Sequence, residues 1–346
     1  MMGSPSFSRR AVLAALGAVA PLVVLPVSAS VSVPYRARRT LMGTVVDITV
    51  ADGAQAGVAQ KVDAAFDAMQ RLEAMMSRFD SASPLSRLNQ AAGAQAMAVP
   101  REMLDVLQQG QALSRKTRGA FEPLLGRLTA QADRDVGPMD NAQIQRLLPH
   151  ARSSALQIDK RAGRARLTDP LARIDLGGVA KLPILQAGLD TLTQAGLQGC
   201  MINGGGDVLA SRRADGQPWR IGVRDGVQPD RLLAVVPLKE GIVASSGDYE
   251  RYITIGGARY HHIIDPKTGR PTAGIHGVTL VAETVDQVNG LGTAAMVAGP
   301  AGASRSLQAW GAPEFIVMHA DRQVEIGGAL ASKLLPPPGQ KAIRRA

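Results

Sequence analysis

Ile174-Asp175-Leu176-Gly177-Gly178-Val179-Ala180-Lys181 is the stretch at which the middle of the chain turns from strand into helix. An acidic residue, two glycines and a lysine stand where a core segment would be apolar. Glycine lets a backbone approach a ligand closely, and a helix N-terminus favours phosphate. The stretch is neither a P-loop nor a dinucleotide fingerprint. These residues alone therefore leave two interpretations open: an ordinary strand–turn–helix link, or a phosphate cradle to which Lys181 adds charge.

On both sides of this stretch, the hydrophobic pattern predicts helices and strands in irregular order. Apolar residues spaced three and four apart predict helices over 55–78, 101–116, 141–148, 182–195 and 288–298. Strands are predicted over 45–50, 155–158, 164–167, 201–203, 219–223, 232–237, 241–245, 252–255, 262–264, 277–282 and 315–319. The elements mix without regular βαβ alternation, which favours an α+β fold. No period of repeat proteins is present.

Composition indicates a globular protein that does not bind nucleic acid. Hydrophobic residues make up 45% of the 346 residues and charged residues 20%, which excludes disorder. Aromatic residues are only 3%, so no stacking platform for bases is expected. The net charge of +10 comes from scattered basic residues, and we interpret it as solubility and attraction of an anionic ligand. Cys200 is the only cysteine, so an intramolecular disulfide is excluded.

The N-terminus has the pattern of a targeting segment. Arg9 and Arg10 precede an apolar run over 11–27 that is broken by prolines, and small residues follow it. We predict a twin-arginine signal peptide over residues 1–29, which implies export to the periplasm in the folded state. An uncleaved membrane anchor is the alternative, although the run is short for a span. A single domain over 30–335 and a flexible tail over 336–346 complete the predicted organisation.

Four further segments are glycine-rich or polar, and each has a plain structural alternative. They cover residues 202–208, 244–249, 260–266 and 289–293. In a strand, His261 and His262 face opposite ways, so at most one of them enters a given site as a general base. Asn289 and Thr293 stand four apart, so on a helix they present two oxygen atoms together, as Mg²⁺ prefers. Alternatively, Asn289 caps the following helix.

Taken together and in order, these segments resemble the ApbE-type FAD:protein FMN transferases, a family once labelled thiamine-biosynthesis lipoproteins. The resemblance extends over about residues 38–320. The motifs that carry it are Met42-Gly43-Thr44, Met76-Ser77-Arg78-Phe79-Asp80, Leu85-Ser86-Arg87-Leu88-Asn89, Gly119-Ala120-Phe121-Glu122-Pro123, the stretch from Asp175 to Lys181, Asn203-Gly204-Gly205-Gly206-Asp207, Ser246-Gly247-Asp248-Tyr249 and His262-Ile263-Ile264-Asp265-Pro266-Lys267-Thr268-Gly269.

The resemblance implies a fold and an activity. The expected fold is two-lobed α+β, with mixed and antiparallel sheets flanked by helices and a flavin cleft between the lobes. The expected reaction transfers the FMN part of FAD to a threonine or serine hydroxyl of an acceptor protein, requires Mg²⁺ and releases AMP. The acceptor would carry the threonine motif of FMN-binding domains. Exported members of this kind accompany membrane respiratory proteins, including the accessory system of nitrous oxide reductase.

The resemblance also assigns site residues. The residues expected to line the FAD site are Met42, Phe79, Ala120, Phe121, Glu122, Asp175, Lys181 and Ile263. The residues expected at the Mg²⁺ site are Gly178 through its backbone, Asn289 and Thr293 through their side chains, and Gly292 nearby. The catalytic residues expected are His262, which would deprotonate the incoming hydroxyl, with Asp175 and Lys181.

The chain departs from the family pattern in three ways. Asn289 stands where the family has a metal-binding aspartate, and an amide oxygen holds Mg²⁺ less tightly than a carboxylate does. Leu182-Pro183 replaces a glycine and an aromatic residue, and Glu122 replaces an aspartate. Two hypotheses follow: an active flavin transferase, or a flavin-binding accessory protein on the same fold with little or no transfer activity.

Overall fold

The computed structural model describes residues 33–132, 139–228, 230–249, 252–255 and 258–338. From Val33 onward these residues form one compact unit. The predicted signal peptide over 1–29 and the tail beyond residue 338 lie outside the described residues. Among the helices that are described, none combines the length and the apolar character needed to cross a bilayer.

Strands and helices alternate irregularly along the described chain. The strands are β1 (Tyr35–Leu41), β2 (Thr44–Val50), β3 (Met97–Ala98), β4 (Leu156–Asp159), β5 (Arg164–Leu167), β6 (Cys200–Gly204), β7 (Asp207–Ala210), β8 (Trp219–Arg224), β9 (Leu232–Leu238), β10 (Gly241–Gly247), β11 (Tyr252–Ile255), β12 (Ala258–His261), β13 (Ile275–Ala282), β14 (Glu314–His319) and β15 (Val324–Gly327). The α-helices are α1 (Val58–Met76), α2 (Pro84–Gln90), α3 (Arg101–Lys116), α4 (Gly126–Ala132), α5 (Asn141–Leu147), α6 (Lys181–Gln194), α7 (Leu291–Ala298), α8 (Ala303–Ala309) and α9 (Leu330–Lys333).

An eight-stranded antiparallel sheet organises the fold. Its strand order is β1-β2-β6-β7-β10-β13-β14-β15. Three smaller antiparallel sheets accompany it: β3-β5-β4, the hairpin β8-β9 and the hairpin β11-β12. The prediction of an α+β fold with antiparallel sheets flanked by helices is confirmed.

Alternating side chains divide the large sheet between two hydrophobic clusters. Ile242, Leu280 and Phe315 face the larger cluster, which contains apolar residues of α1, α3, α6 and α7. Their sequence neighbours Val243 and Ile316 face the smaller cluster, to which the β8-β9 hairpin contributes. Successive residues of a strand point to opposite faces, so helices cover one side of the sheet and a hairpin covers the other.

Helices α1 and α6 pack closely enough to require a glycine at their contact. A Cβ placed on Gly188 of α6 would lie 2.8 Å from the sulfur of Met69 on α1. Val62, Phe66 and Met69 of α1 are fully or almost fully buried, as their three-and-four spacing predicts. Helix α6 itself begins at Lys181, directly after the loop that carries Asp175.

Two predicted elements differ from the structure at positions that matter for the site. The strand predicted over 262–264 is wrong: β12 ends at His261, residue 262 lies in a bend, and Ile264 makes only an isolated bridge to Pro271. The helix predicted over 288–298 begins later, at Leu291, because Gly290 takes a left-handed conformation with φ 72° that a right-handed helix excludes. Asn289 therefore precedes the helix.

Candidate functional site

An open cavity of about 470 Å³ collects every residue that the sequence analysis assigned to a site. The FAD-assigned residues in its lining are Met42, Phe79, Ala120, Phe121, Glu122, Asp175, Lys181 and Ile263. The metal-assigned residues in its lining are Gly178, Asn289, Gly292 and Thr293, and His262 completes the set. Residues as far apart in the sequence as Met42 and Thr293 thus line one cavity, although their individual roles stay predictions.

Asp175 is held rigidly at the edge of the cavity. Its Oδ1 accepts a hydrogen bond from the Gly177 amide at 2.8 Å, and its Oδ2 accepts one from the Thr129 hydroxyl at 2.6 Å. The Arg78 guanidinium lies 3.4 Å from the same Oδ2. The first of these bonds is an Asx turn, which shapes the backbone of the two glycines that follow. Asp175 therefore positions the loop before α6 as well as lining the cavity.

Lys181 begins α6 and forms an ion pair that the sequence analysis did not predict. Its Nζ lies 3.0 Å from Oδ2 of Asp207, which is almost completely buried at the start of β7. The other carboxylate oxygen of Asp207 accepts a hydrogen bond from the Ser245 amide at 2.9 Å. Asp207 also lines the cavity. The glycine-rich segment over 202–208 was the available signal for this residue.

The two adjacent histidines differ in burial and in surroundings. His261 is buried: its Nε2 lies 2.8 Å from the Thr272 carbonyl oxygen, and its Nδ1 accepts a hydrogen bond from the Ile263 amide at 3.3 Å. His262 is half-buried and lines the cavity. Of the two, His262 is therefore the one that the cavity lining contains, and its role as a general base stays a prediction.

Glycines allow the cavity walls to approach one another. A Cβ on Gly178 would lie 2.8 Å from Cε2 of Phe121, and a Cβ on Gly292 would lie 2.6 Å from the Ser246 hydroxyl. Side chains at either position would displace these neighbours. The backbone of both glycines is thus part of the inner surface, where its polar groups can contact a ligand.

The metal-assigned residues offer neutral oxygen atoms. The Asn289 amide nitrogen donates to the Val179 carbonyl at 2.9 Å, so its Oδ1 is the atom of that amide left without a hydrogen bond in the described structure. This bond replaces the helix-cap role considered for Asn289. Thr293 lies in the first turn of α7. Among the described residues, no group of three or more His, Cys, Asp or Glu side chains could hold a metal.

Phe79, Met42 and Glu73 also line the cavity. Phe79 is 74% exposed, with the Arg78 guanidinium 4.5 Å from its ring centre. Met42 has a positive φ of 54°, and its amide donates to Oε1 of Glu73 at 2.6 Å. The exposed Phe79 ring therefore offers a flat apolar surface within the cavity lining.

The carboxylate of Glu122 is held by hydrogen bonds from neighbouring residues. The amides of Ser153 and Leu124 donate to its two oxygens at 2.9 and 3.0 Å, and the Ser114 hydroxyl donates at 3.2 Å. Burial raises the pKa of Glu122, and these hydrogen bonds oppose that rise. Its carboxylate thus fixes the loop that carries Ala120 and Phe121 into the cavity.

The sequence profile of the ApbE family matches residues 42–315. The chain belongs to the ApbE family. The matched range begins at the first residue of the cavity lining and extends beyond the last. The family resemblance inferred from the ordered motifs is therefore confirmed.

Similar proteins of known name and structure agree with this assignment. An FAD:protein FMN transferase of Treponema pallidum (strain Nichols) is 26% identical over 326 residues, which cover 87% of this chain and 88% of that protein. An FAD:protein FMN transferase of Rhodobacter capsulatus is 32% identical over 222 residues, or 62% of this chain and 42% of that longer protein. The crystal structure of the ApbE protein from Thermotoga maritima has a TM-score of 0.77 and 29% identity, over 85% of this chain and 96% of that one.

Proposed function

We propose that this protein transfers the FMN part of FAD to a threonine or serine hydroxyl of an acceptor protein, with Mg²⁺, and releases AMP. One observation carries the proposal: the residues that the family resemblance assigned to FAD, to the metal and to catalysis line one cavity. The names of the similar proteins from Treponema and Rhodobacter support the same activity.

The donor set of the cavity fits Mg²⁺ that is shared with phosphate. The Asn289 amide oxygen, the Thr293 hydroxyl and the Gly178 carbonyl are hard, neutral oxygen ligands, which Mg²⁺ accepts when substrate phosphates and waters complete its shell. When bound there, Mg²⁺ would neutralise charge on the pyrophosphate oxygens of FAD. Lys181, held by Asp207, adds a second positive charge beside the N-terminus of α6.

The chain's own groups supply the remaining chemistry. A threonine hydroxyl has a very high pKa, so His262 would accept its proton as the oxygen attacks the phosphorus of the FMN half. The bond between that phosphorus and the bridging oxygen breaks, and AMP leaves with the bridging oxygen. Phe79 would stack on a planar ring of FAD at the mouth of the cavity, and Asp175 would hold the glycine loop against the substrate.

We also propose that the reaction takes place in the periplasm. The twin-arginine signal expected over residues 1–29 would export the folded chain to the periplasm. The acceptor would be an exported or membrane-bound protein with an FMN-binding domain, such as a respiratory component.

One reaction tests the proposed activity. The purified full chain is incubated with FAD, MgCl₂ and an exported FMN-binding domain, and intact-mass spectrometry follows the acceptor while chromatography measures AMP. We expect FMN bound covalently to the acceptor, in equal amount to the AMP released, and neither product when EDTA replaces MgCl₂. Failure to form acid-stable flavin on any acceptor, with FAD bound, would contradict the proposal.

Asn289 favours a second candidate, a flavin-binding accessory protein without transfer activity. An amide in place of a carboxylate removes one negative charge from the metal site. This candidate predicts that the chain purifies with flavin, binds FAD equally well in EDTA and in MgCl₂, and releases no AMP. Intact-mass spectrometry of the acceptor and chromatography of AMP therefore separate the two candidates.

A further inference from the structure

A second cavity, of about 510 Å³, borders the first along Arg78 and Phe79. Its lining includes Arg127 at the start of α4, Arg146 on α5 and Arg173 just before the Asp175 loop. We call the cavity formed around these four arginines the arginine groove. Ser81, Gln90 and Gln143 are among its other lining residues.

The described walls of the arginine groove are rich in positive charge. None of the described residues that line it is acidic. Arg127 donates to the Leu171 carbonyl at 2.5 Å, and Arg173 donates to the carbonyls of Pro170 and Ala172 at 3.0 and 2.6 Å. Carbonyl oxygens hold a guanidinium in place without cancelling its charge. In the described part of the chain, Arg78 alone of the four has an ion pair, with Asp175.

The fold places like charges close together in this groove. The Gly126 amide donates to the Arg173 carbonyl at 3.0 Å, which brings the segments carrying Arg127 and Arg173 side by side. Burial lowers the pKa of Arg173, and the nearby charge of Arg127 lowers it further. Guanidinium groups such as Arg127 and Arg173, which bond to carbonyl oxygens, raise the local concentration of anions and favour an anionic occupant.

We propose that the arginine groove docks an acidic segment of the acceptor protein beside the flavin cavity. This inference rests on the proposed function, since transfer to a protein requires the acceptor to bind next to the flavin cavity, which the groove borders at Arg78 and Phe79. The groove is at least as large as the flavin cavity, so it has room for several residues of an extended chain. Arginine binds carboxylates through paired hydrogen bonds, and the amides of Gln90 and Gln143 suit a peptide backbone.

Binding of a fluorescein-labelled decaglutamate peptide tests the groove directly, without FAD or MgCl₂. Fluorescence anisotropy is measured for the full chain and for the double variant Arg127→Gln/Arg146→Gln, with decaglutamine as the neutral peptide. The control is Arg220→Gln/Arg305→Gln, which removes two exposed arginines outside both cavities and changes the net charge equally. We expect about tenfold weaker decaglutamate binding by the groove variant, because two charge-assisted contacts are lost. The control should bind as the unchanged chain does.

A second variant keeps the test decisive if Arg127 is needed for folding. Arg146 is exposed on α5, so Arg146→Glu leaves the core intact while it reverses the charge, and it should weaken decaglutamate binding more than Arg146→Gln does. Equal binding by groove and control variants would overturn the proposal, since the affinity would then reflect only the basic character of the whole chain. Displacement of decaglutamate by inorganic phosphate at lower concentration than by unlabelled peptide would also overturn it, in favour of a phosphate site.

The test separates this inference from the proposed function. If the chain transfers FMN but the groove variant binds decaglutamate normally, the docking proposal alone fails. If decaglutamate binds in the groove but no acceptor ever gains FMN, the proposed function fails and the groove assignment is supported. In an active chain, the groove variant should raise the KM for the acceptor while the KM for FAD stays unchanged.

Discussion

At the scale of single residues, Asn289 stands where the family resemblance implies a metal-binding aspartate. Replacing Asn289 with Asp should lower the Mg²⁺ concentration needed for half-maximal transfer, because a carboxylate binds the ion more tightly. It should also destabilise the metal-free protein by about 1 kcal/mol, because the hydrogen bond from Nδ2 to the Val179 carbonyl is lost. Titration of activity with MgCl₂ and thermal unfolding in EDTA measure the two effects.

Asn289→Ala is the matched control, since it loses the same hydrogen bond without gaining a carboxylate. It should be destabilised in EDTA to a similar extent and should need more Mg²⁺, not less. An unchanged Mg²⁺ requirement in both variants would mean that Asn289 does not contact the metal.

Asp207 is the residue that orients Lys181, and its removal should affect catalysis more than stability. Asp207→Asn retains an oxygen for the Ser245 amide but removes the charge that fixes Nζ of Lys181. We expect about a tenfold lower transfer rate, because the ammonium is no longer held in place. Asp207→Glu should restore part of the rate, which a purely structural role would not predict. Asp190→Asn makes the same charge change on α6 and should be neutral.

Cys200 should be unreactive in the folded protein. Burial raises the pKa of its thiol to about 11, so at pH 8 only about one molecule in a thousand carries the thiolate that attacks a disulfide reagent. We expect negligible labelling by Ellman's reagent at pH 8 and full labelling of one thiol after guanidinium is added. Rapid labelling of the folded chain would show that the start of β6 opens frequently.

At the scale of elements, the start of α7 depends on Gly290. Its left-handed φ of 72° is strained for other residues, and a Cβ there would lie 2.3 Å from Cδ2 of Leu113. Gly311, at the end of α8, has a similar φ of 75° but open space around it. We expect Gly290→Ala to cost about 2 kcal/mol more than Gly311→Ala, because overpacking is added to backbone strain. Denaturant unfolding of both variants measures the difference, and equal losses would show that Leu113 moves aside freely.

Elements with strong periodicity were predictable, whereas their ends near the site were not. Residues 101–116 were predicted as a helix with the observed bounds of α3, because its buried leucines recur at helical spacing. The strand predicted over 262–264 failed because β12 already ends at His261, whose ring accepts a hydrogen bond from the Ile263 amide. Tertiary hydrogen bonds of this kind leave no periodic signal in the sequence.

Edge strand β1 was missed for a related reason. Its burial alternates between exposed and half-buried positions, and Arg36, Arg38 and Arg39 interrupt any apolar pattern. Arg39 instead bonds Asp63 and Asp67 of α1, so charge pairing across elements accompanies this strand. Such pairing becomes visible only when both partners are placed.

At the scale of the whole molecule, FAD and Mg²⁺ should stabilise the fold together. The lining of the cavity comes from strands, helices and loops spread over residues 42–293, so binding is lost when the chain unfolds. With FAD at a hundredfold excess over its dissociation constant, the stabilisation should be about 3 kcal/mol, which raises Tm by several degrees. Thermal unfolding with FAD and MgCl₂ together, and with either alone, measures it. Equal shifts with and without MgCl₂ would support the accessory hypothesis.

The lining of the flavin cavity was easier to predict from the sequence than the arginine groove beside it. Ordered motifs predicted a common site for Asp175, Lys181 and His262, which do line one cavity, while their roles stay predictions. The arginine groove was not foreseen: its four arginines were part of a basic content that looked scattered along the chain. Only the packing of α4 and α5 beside the Asp175 loop brings them together, and sequence distance conceals that proximity.

Met42 and Thr293 line the same cavity, so the cavity forms only after most of the chain has been synthesised. A polypeptide still emerging from the ribosome, or one cleaved before α7, lacks Thr293 and therefore has an incomplete cavity. Under the proposed function, flavin that co-purifies with the chain would mark only those molecules whose cavity is complete. Absorbance near the flavin band, compared with protein content, would become a simple gauge of how much of a preparation has matured.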